Sequence, residues 1–426
     1  MRSPGAMLVA ASFLLSSARV PGQDALRRAL SLEPVIGPQP PASSETPDRP
    51  HFGPAQLELG AYTGLELNDN VNSSQLEPRA DLLLRGGLNL GLAWPVTTAS
   101  ELRFSSDFGY VHYLRNPQYD HLEVAPNSAL SWAIGLPDGR ITFFDQFSYS
   151  QQVLAEPAIS GLATFPRFNN TAGAQANWLP GQCAFEIGYS HNDAFSDSSQ
   201  FQYLNSSSEY FFARAGLRFG ELSQAGVEAS SGLTRYEIAS QNNNYSISVG
   251  PYSDWQITQW LHTSLRGGGV LYLFDSQPGS SQAKQLNSYY FGLELDHRLT
   301  DFLTQKINVQ RNVRQGLNQG SSYIEELTAN YSASFSLTSK ISLEAGFNFD
   351  QGTQPLEVLV NLFPFGTFAV LSTENYTRYG ATLSASWRAT EKLAASVTYS
   401  HWLRDSNLAG LGYQVNSLLF NFSYTF

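Results

Sequence analysis

The chain has 426 residues, a net charge of −11 and one cysteine, Cys183, which excludes an intramolecular disulfide and a cysteine metal cluster. Charged residues make up only 14%, against about 25% in ordinary soluble domains, yet the mean hydropathy is slightly polar despite 27 Phe and 21 Tyr. The acidic balance argues against nucleic-acid binding, which calls for a basic patch.

Residues 1–22 read as a signal peptide. Arg2 is a short basic region, Ala6 to Leu15 an apolar stretch, and Ser16, Ser17 and Ala18 supply small residues for cleavage. No later segment approaches the roughly 20 apolar residues of a membrane helix. Residues 23–55 form a leader. Asp24 to Leu32 has the spacing of one short helix, and Pro34, Pro38, Pro40, Pro41, Pro47, Pro50 and Pro54 follow. Prolines lack the N–H that a ladder needs, so the stretch reads as an extended linker. Its second reading is a contact arm for a partner protein.

From Gln56 to Phe426 one unit recurs: strand, short turn, strand, longer loop, at a period of roughly 40 residues. The pattern predicts strands at 56–67, 79–93, 100–113, 121–134, 140–150, 168–179, 183–191, 207–219, 224–236, 244–257, 261–273, 286–299, 303–313, 322–337, 341–350, 375–388, 393–400 and 413–426. Each alternates an apolar with a polar or glycine face, the period-two signature of a strand between two environments. Most reach the roughly 9–11 residues that a tilted strand needs to cross a bilayer. The fold class is therefore all-β: a transmembrane antiparallel up-and-down β-barrel of about 18 strands. An even strand number puts both termini on one side.

Trp94, Trp132, Trp178, Trp255 and Trp387 sit beside short turns on the apolar parity, as an aromatic girdle requires; Trp402 lies at the opposite end. Tyr110, Tyr149, Tyr189 and Tyr399 fall where the second girdle belongs. The final strand carries Leu418, Phe420, Phe422, Tyr424 and Phe426 on one face, apolar to the last residue. Its F-N-F-S-Y-T-F resembles the C-terminal signal of bacterial outer-membrane proteins. That resemblance implies Phe422, Tyr424 and Phe426 as an assembly signal, the barrel-assembly machinery and outer-membrane lipids as partners, and an outer-membrane location with both termini periplasmic. The leader's partner would then be a periplasmic protein. The pattern sets no oligomeric state.

The polar parity carries mixed charges. Arg85, Arg103, Asp107, Arg214, Glu228, Arg266, Glu294, Lys306, Glu326, Glu344 and Arg388 are the candidate pore-lining residues. Opposite signs face each other on neighbouring strands, as with Arg214 and Glu228. Most such residues brace the wall in cross-strand pairs; together they line a water-filled pore of weak ion selectivity. Two loops have the composition to enter the lumen. One is Gln151 to Arg167. The other is Gln351 to Asn375, too apolar for a solvated loop. The latter has three placements: inward as a constriction, packed on the rim, or as two short strands making 20. At about seven residues each, its halves are short for crossing, so a loop is expected, narrowing the pore.

No H-E-x-x-H, G-x-S-x-G, P-loop or paired Cys/His spacing occurs. The reading is not an enzyme, with no catalytic residues, no cofactor and no metal. G-L-E-L-N-D-N-V (64–71), D-H-R-L-T-D-F-L-T-Q-K-I (296–307) and the aromatic C-terminus resemble the beta-barrel porin type 2 family over residues 56–426. The expected function is a porin-like channel for passive diffusion of small hydrophilic solutes or saccharides. The alternative is an accessory barrel in envelope assembly or, as the resemblance implies, exopolysaccharide export.

Overall fold

The computed structural model describes residues 51–220, 222–238, 241–275, 284–318, 320–362 and 366–426. The signal peptide and the leader up to Pro50 lie outside the described residues. A two-residue bridge, β1 (His51–Phe52), pairs back onto the start of the first long strand. Eighteen long strands follow: β2 (Ala55–Asn68), β3 (Asp81–Thr97), β4 (Ser100–Tyr113), β5 (His121–Leu136), β6 (Gly139–Ser150), β7 (Arg167–Trp178), β8 (Cys183–Phe195), β9 (Ser206–Arg218), β10 (Gln224–Tyr236), β11 (Asn244–Thr258), β12 (Leu261–Phe274), β13 (Gln285–Thr300), β14 (Leu303–Gln315), β15 (Tyr323–Ser336), β16 (Ile341–Leu362), β17 (Gly366–Arg388), β18 (Leu393–Ser406) and β19 (Tyr413–Thr425). Each pairs antiparallel with the next in sequence.

The ring closes where β19 meets β2, with Leu418 opposite Leu67 and Phe420 opposite Leu65. The Phe426 N–H donates to Leu59 O at 2.9 Å, so the seam is bonded to the last residue. Closure pairs both edges of every strand, the condition for a sheet to sit in hydrocarbon. Pro126 would break a ladder bond inside β5. The register slips there, between Val124 and Ser128, and the bulge accommodates it.

The faces separate as the alternation requires. Val249, Leu265, Tyr289 and Leu383 project outward and are exposed, and so do Trp94, Trp132, Trp178, Trp255 and Trp387 beside the short turns. Trp402 differs: its ring lies over Gly380 on the inner wall, where a Cβ would collide with it. At the loop end, three strands share a pattern: Tyr110-Val-His112, Tyr189-Ser-His191 and Tyr399-Ser-His401. In each, the tyrosine hydroxyl and the His Nδ1 bond the same side chain: Asp120, Glu209 and Asn416 respectively. These bonds satisfy the tyrosine hydroxyls at the loop end.

The apolar segment from Gln351 to Asn375 is a correction. It is neither a loop nor an added strand pair, and the count stays at eighteen. β16 and β17 continue past the rim as one ribbon, paired from Gln354 with Glu374 to Leu362 with Gly366. β15 pairs β16 only as far as Thr353, and β18 pairs β17 only as far as Tyr376. The ribbon satisfies its own backbone, which is what a segment with strand alternation does when no neighbour is available. At about 3.3 Å per residue it extends on the order of 30 Å.

The two faces should differ in tolerance. Leu293→Arg, on the outer face in mid-β13, is expected to cost roughly 2–4 kcal/mol in a lipid refolding titration, whereas Glu294→Arg, facing water, should fold normally. Equal damage would contradict the assigned parity.

Candidate functional site: a lumen crossed by one loop

Residues 151–166, between β6 and β7, leave the wall and cross to its opposite side. The loop base is closed by the Phe165 N–H on Gln151 O (2.9 Å), and Val153–Ala155 makes a 3₁₀ turn. Val153, Ala158, Ile159 and Phe165 pack with Phe201, Leu204, Leu317, Ile324 and Tyr376 in one buried cluster. Those partners belong to other loops and to β15 and β17, so the apolar side chains of the loop bury themselves across the lumen. Burial also pushes the Tyr203 phenol up to about 12, which keeps its hydroxyl a donor to Leu317 O at 2.9 Å.

The opposite wall holds the loop by its main chain. Arg378 Nη1 donates to Leu154 O (2.6 Å) and Arg404 Nε to Pro157 O (2.9 Å). Asn318 Nδ2 and Gln354 Nε2 both donate to Ala158 O, at 3.3 and 3.4 Å. On the remaining side, the Gly161 N–H bonds Ser73 O at 2.8 Å. A guanidinium has five N–H donors in a fixed fork, enough to pair a carboxylate and still reach a carbonyl. Arg378 pairs Asp350 and Arg404 pairs Glu374, both at 2.7 Å, with all four side chains at most 5% exposed. Each arginine also stacks on an aromatic ring: Arg378 on Trp402 at 4.5 Å and Arg404 on Tyr376 at 4.6 Å. A second cluster centres on the loop's Glu156, which pairs Arg167 (2.7 Å) and Arg314 (3.2 Å). Arg314 continues to Glu326 (2.9 Å), which accepts from Tyr376 Oη at 2.7 Å.

The residues expected to line the pore divide among separate places. Arg85 lies between Glu66 (2.7 Å) and Glu123 (3.7 Å). Arg103 turns to Glu101 (2.9 Å), while Asp107 accepts from Asn89 (2.6 Å). Arg214 and Glu228 meet at 2.8 Å, with Glu186 at 3.7 Å, and the guanidinium sits between the Phe212 and Tyr252 rings. Arg266 lies over Gly292; Glu294 accepts from Asn308 (2.9 Å); Lys306 pairs Asp296 (3.2 Å). Glu326 belongs to the loop network. Glu344 stands between Ser334 and Ser384 in the register, and Arg388 is further toward the turn end. Phe422, Tyr424 and Phe426 project outward beside the seam, 54%, 42% and 53% exposed.

Arg378, Arg404, Asn318 and Gln354, which bond the loop's carbonyls, the arginines' partners Asp350 and Glu374, and the loop's own Glu156 are absent from the expected set. Ending the two strands at 350 and 375 hid the continuation of inner parity through Gln354 and Glu374. Asp350 and Glu374 lie on that inner parity, so their signal was available. Among the described residues, no group of three or more His, Cys, Asp or Glu is placed to hold a metal ion.

No family model matches the chain, and no curated protein does. Solved structures resemble it in fold. Pseudomonas aeruginosa OccK2 (OpdF) superimposes at a TM-score of 0.45 and 12% identity, over 88% of this chain and 98% of that one. The outer membrane protein OpdK from Pseudomonas aeruginosa gives 0.45 and 9%, over 88% and 100%. Acinetobacter baumannii OccAB3 gives 0.44 and 8%, over 88% and 100%. At these identities the likeness concerns the fold and not the solute.

Proposed function

We propose that the protein is a porin-like channel of the bacterial outer membrane, passing small hydrophilic solutes by diffusion, with the loop 151–166 as its constriction. One observation carries this reading: an apolar exterior encloses a polar, charged interior that the loop 151–166 crosses. Charged side chains on an inner face need water around them. A ring of this strand number has room for an aqueous lumen. The inner charges are mostly paired within the wall, which favours weak ion selectivity over steering of one sign. In this reading the short turns and both termini are periplasmic, the long loops face outward, and the aromatic C-terminus is the assembly signal. The constriction is assigned to 151–166, whose carbonyls accept from Arg378 and Arg404 of the opposite wall.

Replacing residues 152–164 by a short Gly-Ser link should raise single-channel conductance and admit larger sugars in liposome swelling. Trimming the ribbon from 356 to 372 to a tight turn should leave both near the wild-type values. The reverse pattern would contradict the assignment of the constriction.

Removing Phe426, or changing it to Asp, should lower the yield of heat-modifiable barrel in outer membranes. Unchanged yield of folded protein would argue against the terminal aromatic as a signal.

A further inference from the structure

The outer face of the wall carries a polar interruption. Asp145 on β6 shares its parity with the exposed Phe143 and with Phe147. It lies midway along the strand between Gly139, which pairs the girdle Trp178, and Tyr149. Elsewhere on that parity, the acids and arginines of the described strands gather toward the loop end, as in Arg311–Glu325. Asn170 on β7 donates through Nδ2 to Asp145 Oδ1 at 2.6 Å, and both residues are partly exposed. A carboxylate in the middle of a lipid-facing surface is costly and marks a contact with something other than lipid.

Around this pair the surface has relief that fits itself. β6 forms a ridge with Phe143 and Phe147, backed by Trp132 and Phe104, whose rings lie 5.8 and 6.5 Å from theirs. β7 beside it is a furrow, with Ala172, Ala174 and Ala176 on the outer parity opposite Asp145, Phe143 and Ile141. Ile187 and Tyr189 of β8 form its far edge. A two-fold axis along the membrane normal, between β6 and β7, lays the ridge of each copy over the furrow of the other. The same rotation brings Asp145 of one copy to Asn170 of the second, and the reverse. A carboxylate has about four lone-pair sites and an amide two N–H donors, so the bond within each chain leaves capacity for one between chains. Small side chains let the two backbones approach. Lipid headgroups lie outside the roughly 30 Å hydrocarbon core and do not reach this depth.

We propose that the outer face of β6 and β7 is the contact surface of a two-fold pair formed by two copies of this chain, closed at its centre by reciprocal Asp145–Asn170 hydrogen bonds. This rests on the membrane location given above and is independent of what the lumen conducts.

The test places the photo-activated side chain p-benzoylphenylalanine at Phe143 and irradiates intact outer membranes. A product of twice the chain's mass is expected, while the same group at Leu265, on the outer face of β12, should give none. Added to the Phe143 probe, Asp145→Leu should lower that yield about tenfold or more, and Asp145→Asn, which keeps a donor and an acceptor, should retain most of it. Heat-modifiability on gels confirms that each variant is folded. If Asp145→Leu fails to fold, the Phe143 and Leu265 probes in the otherwise unchanged chain decide alone. Folded protein with no doubled product, equal doubled product from Leu265, or a product of some other mass in its place would overturn the pair. So would an undiminished yield in the folded Asp145→Leu variant. Each of these results leaves the membrane location standing, whereas absence of the protein from outer membranes would overturn both.

Discussion

Everything in this molecule depends on closing the backbone ladder between β19 and β2. Hydrocarbon offers no partner for a peptide group, so an open edge there would leave each unmade hydrogen bond costing several kcal/mol. Once the ring is closed, the period of two becomes a sorting rule. One parity forms an apolar exterior and the other an enclosed, polar interior. That rule explains why Val249, Leu265 and Leu383 stand exposed without penalty, and why Arg85 and Arg214 turn inward to their carboxylates.

The crossing loop is built on that interior and uses it twice. Its apolar side chains fill a cluster with residues of the far wall, and its carbonyls take the spare N–H groups of arginines already neutralised by Asp350 and Glu374. The acids make this arrangement stable. A buried guanidinium without its carboxylate would cost about 3–5 kcal/mol. With the carboxylate in place, its remaining donors are free for the loop backbone. The rings of Trp402 and Tyr376 hold the guanidiniums flat, and Gly380 and Gly352 make room for the rings. Holding the loop by its carbonyls ties its course across the interior to the path of its main chain.

Most of the wall was legible in the residues, because alternation with turn chemistry leaves little freedom: β4 and β10 lie where the pattern places them. The girdle tryptophans were legible for the same reason. Trp402 was not, since its place depends on Gly380 across the ladder, a partner set by register and not by neighbouring sequence. The Arg214–Glu228 pair could be read from adjacent strands, yet Arg103 pairs with Glu101, two residues back on its own strand. The 351–375 segment misled because apolar content above the rim looked like a need for burial in the lumen, while its alternation already described a self-paired ribbon. Glu156 and Arg314 are 158 positions apart, and only the three-dimensional path of the loop joins them.

The central claim is that one face of each strand meets lipid and the next meets water that is continuous with the outside. Single cysteines at Asn330 and Tyr331, neighbours in mid-β15, test it most directly in a background where Cys183 is replaced by Ala. In intact outer membranes, Asn330→Cys should react readily with a charged, membrane-impermeant thiol reagent. Tyr331→Cys should react only with a lipid-soluble one. Reaction of both with the charged reagent, or of Tyr331→Cys alone, would contradict the account.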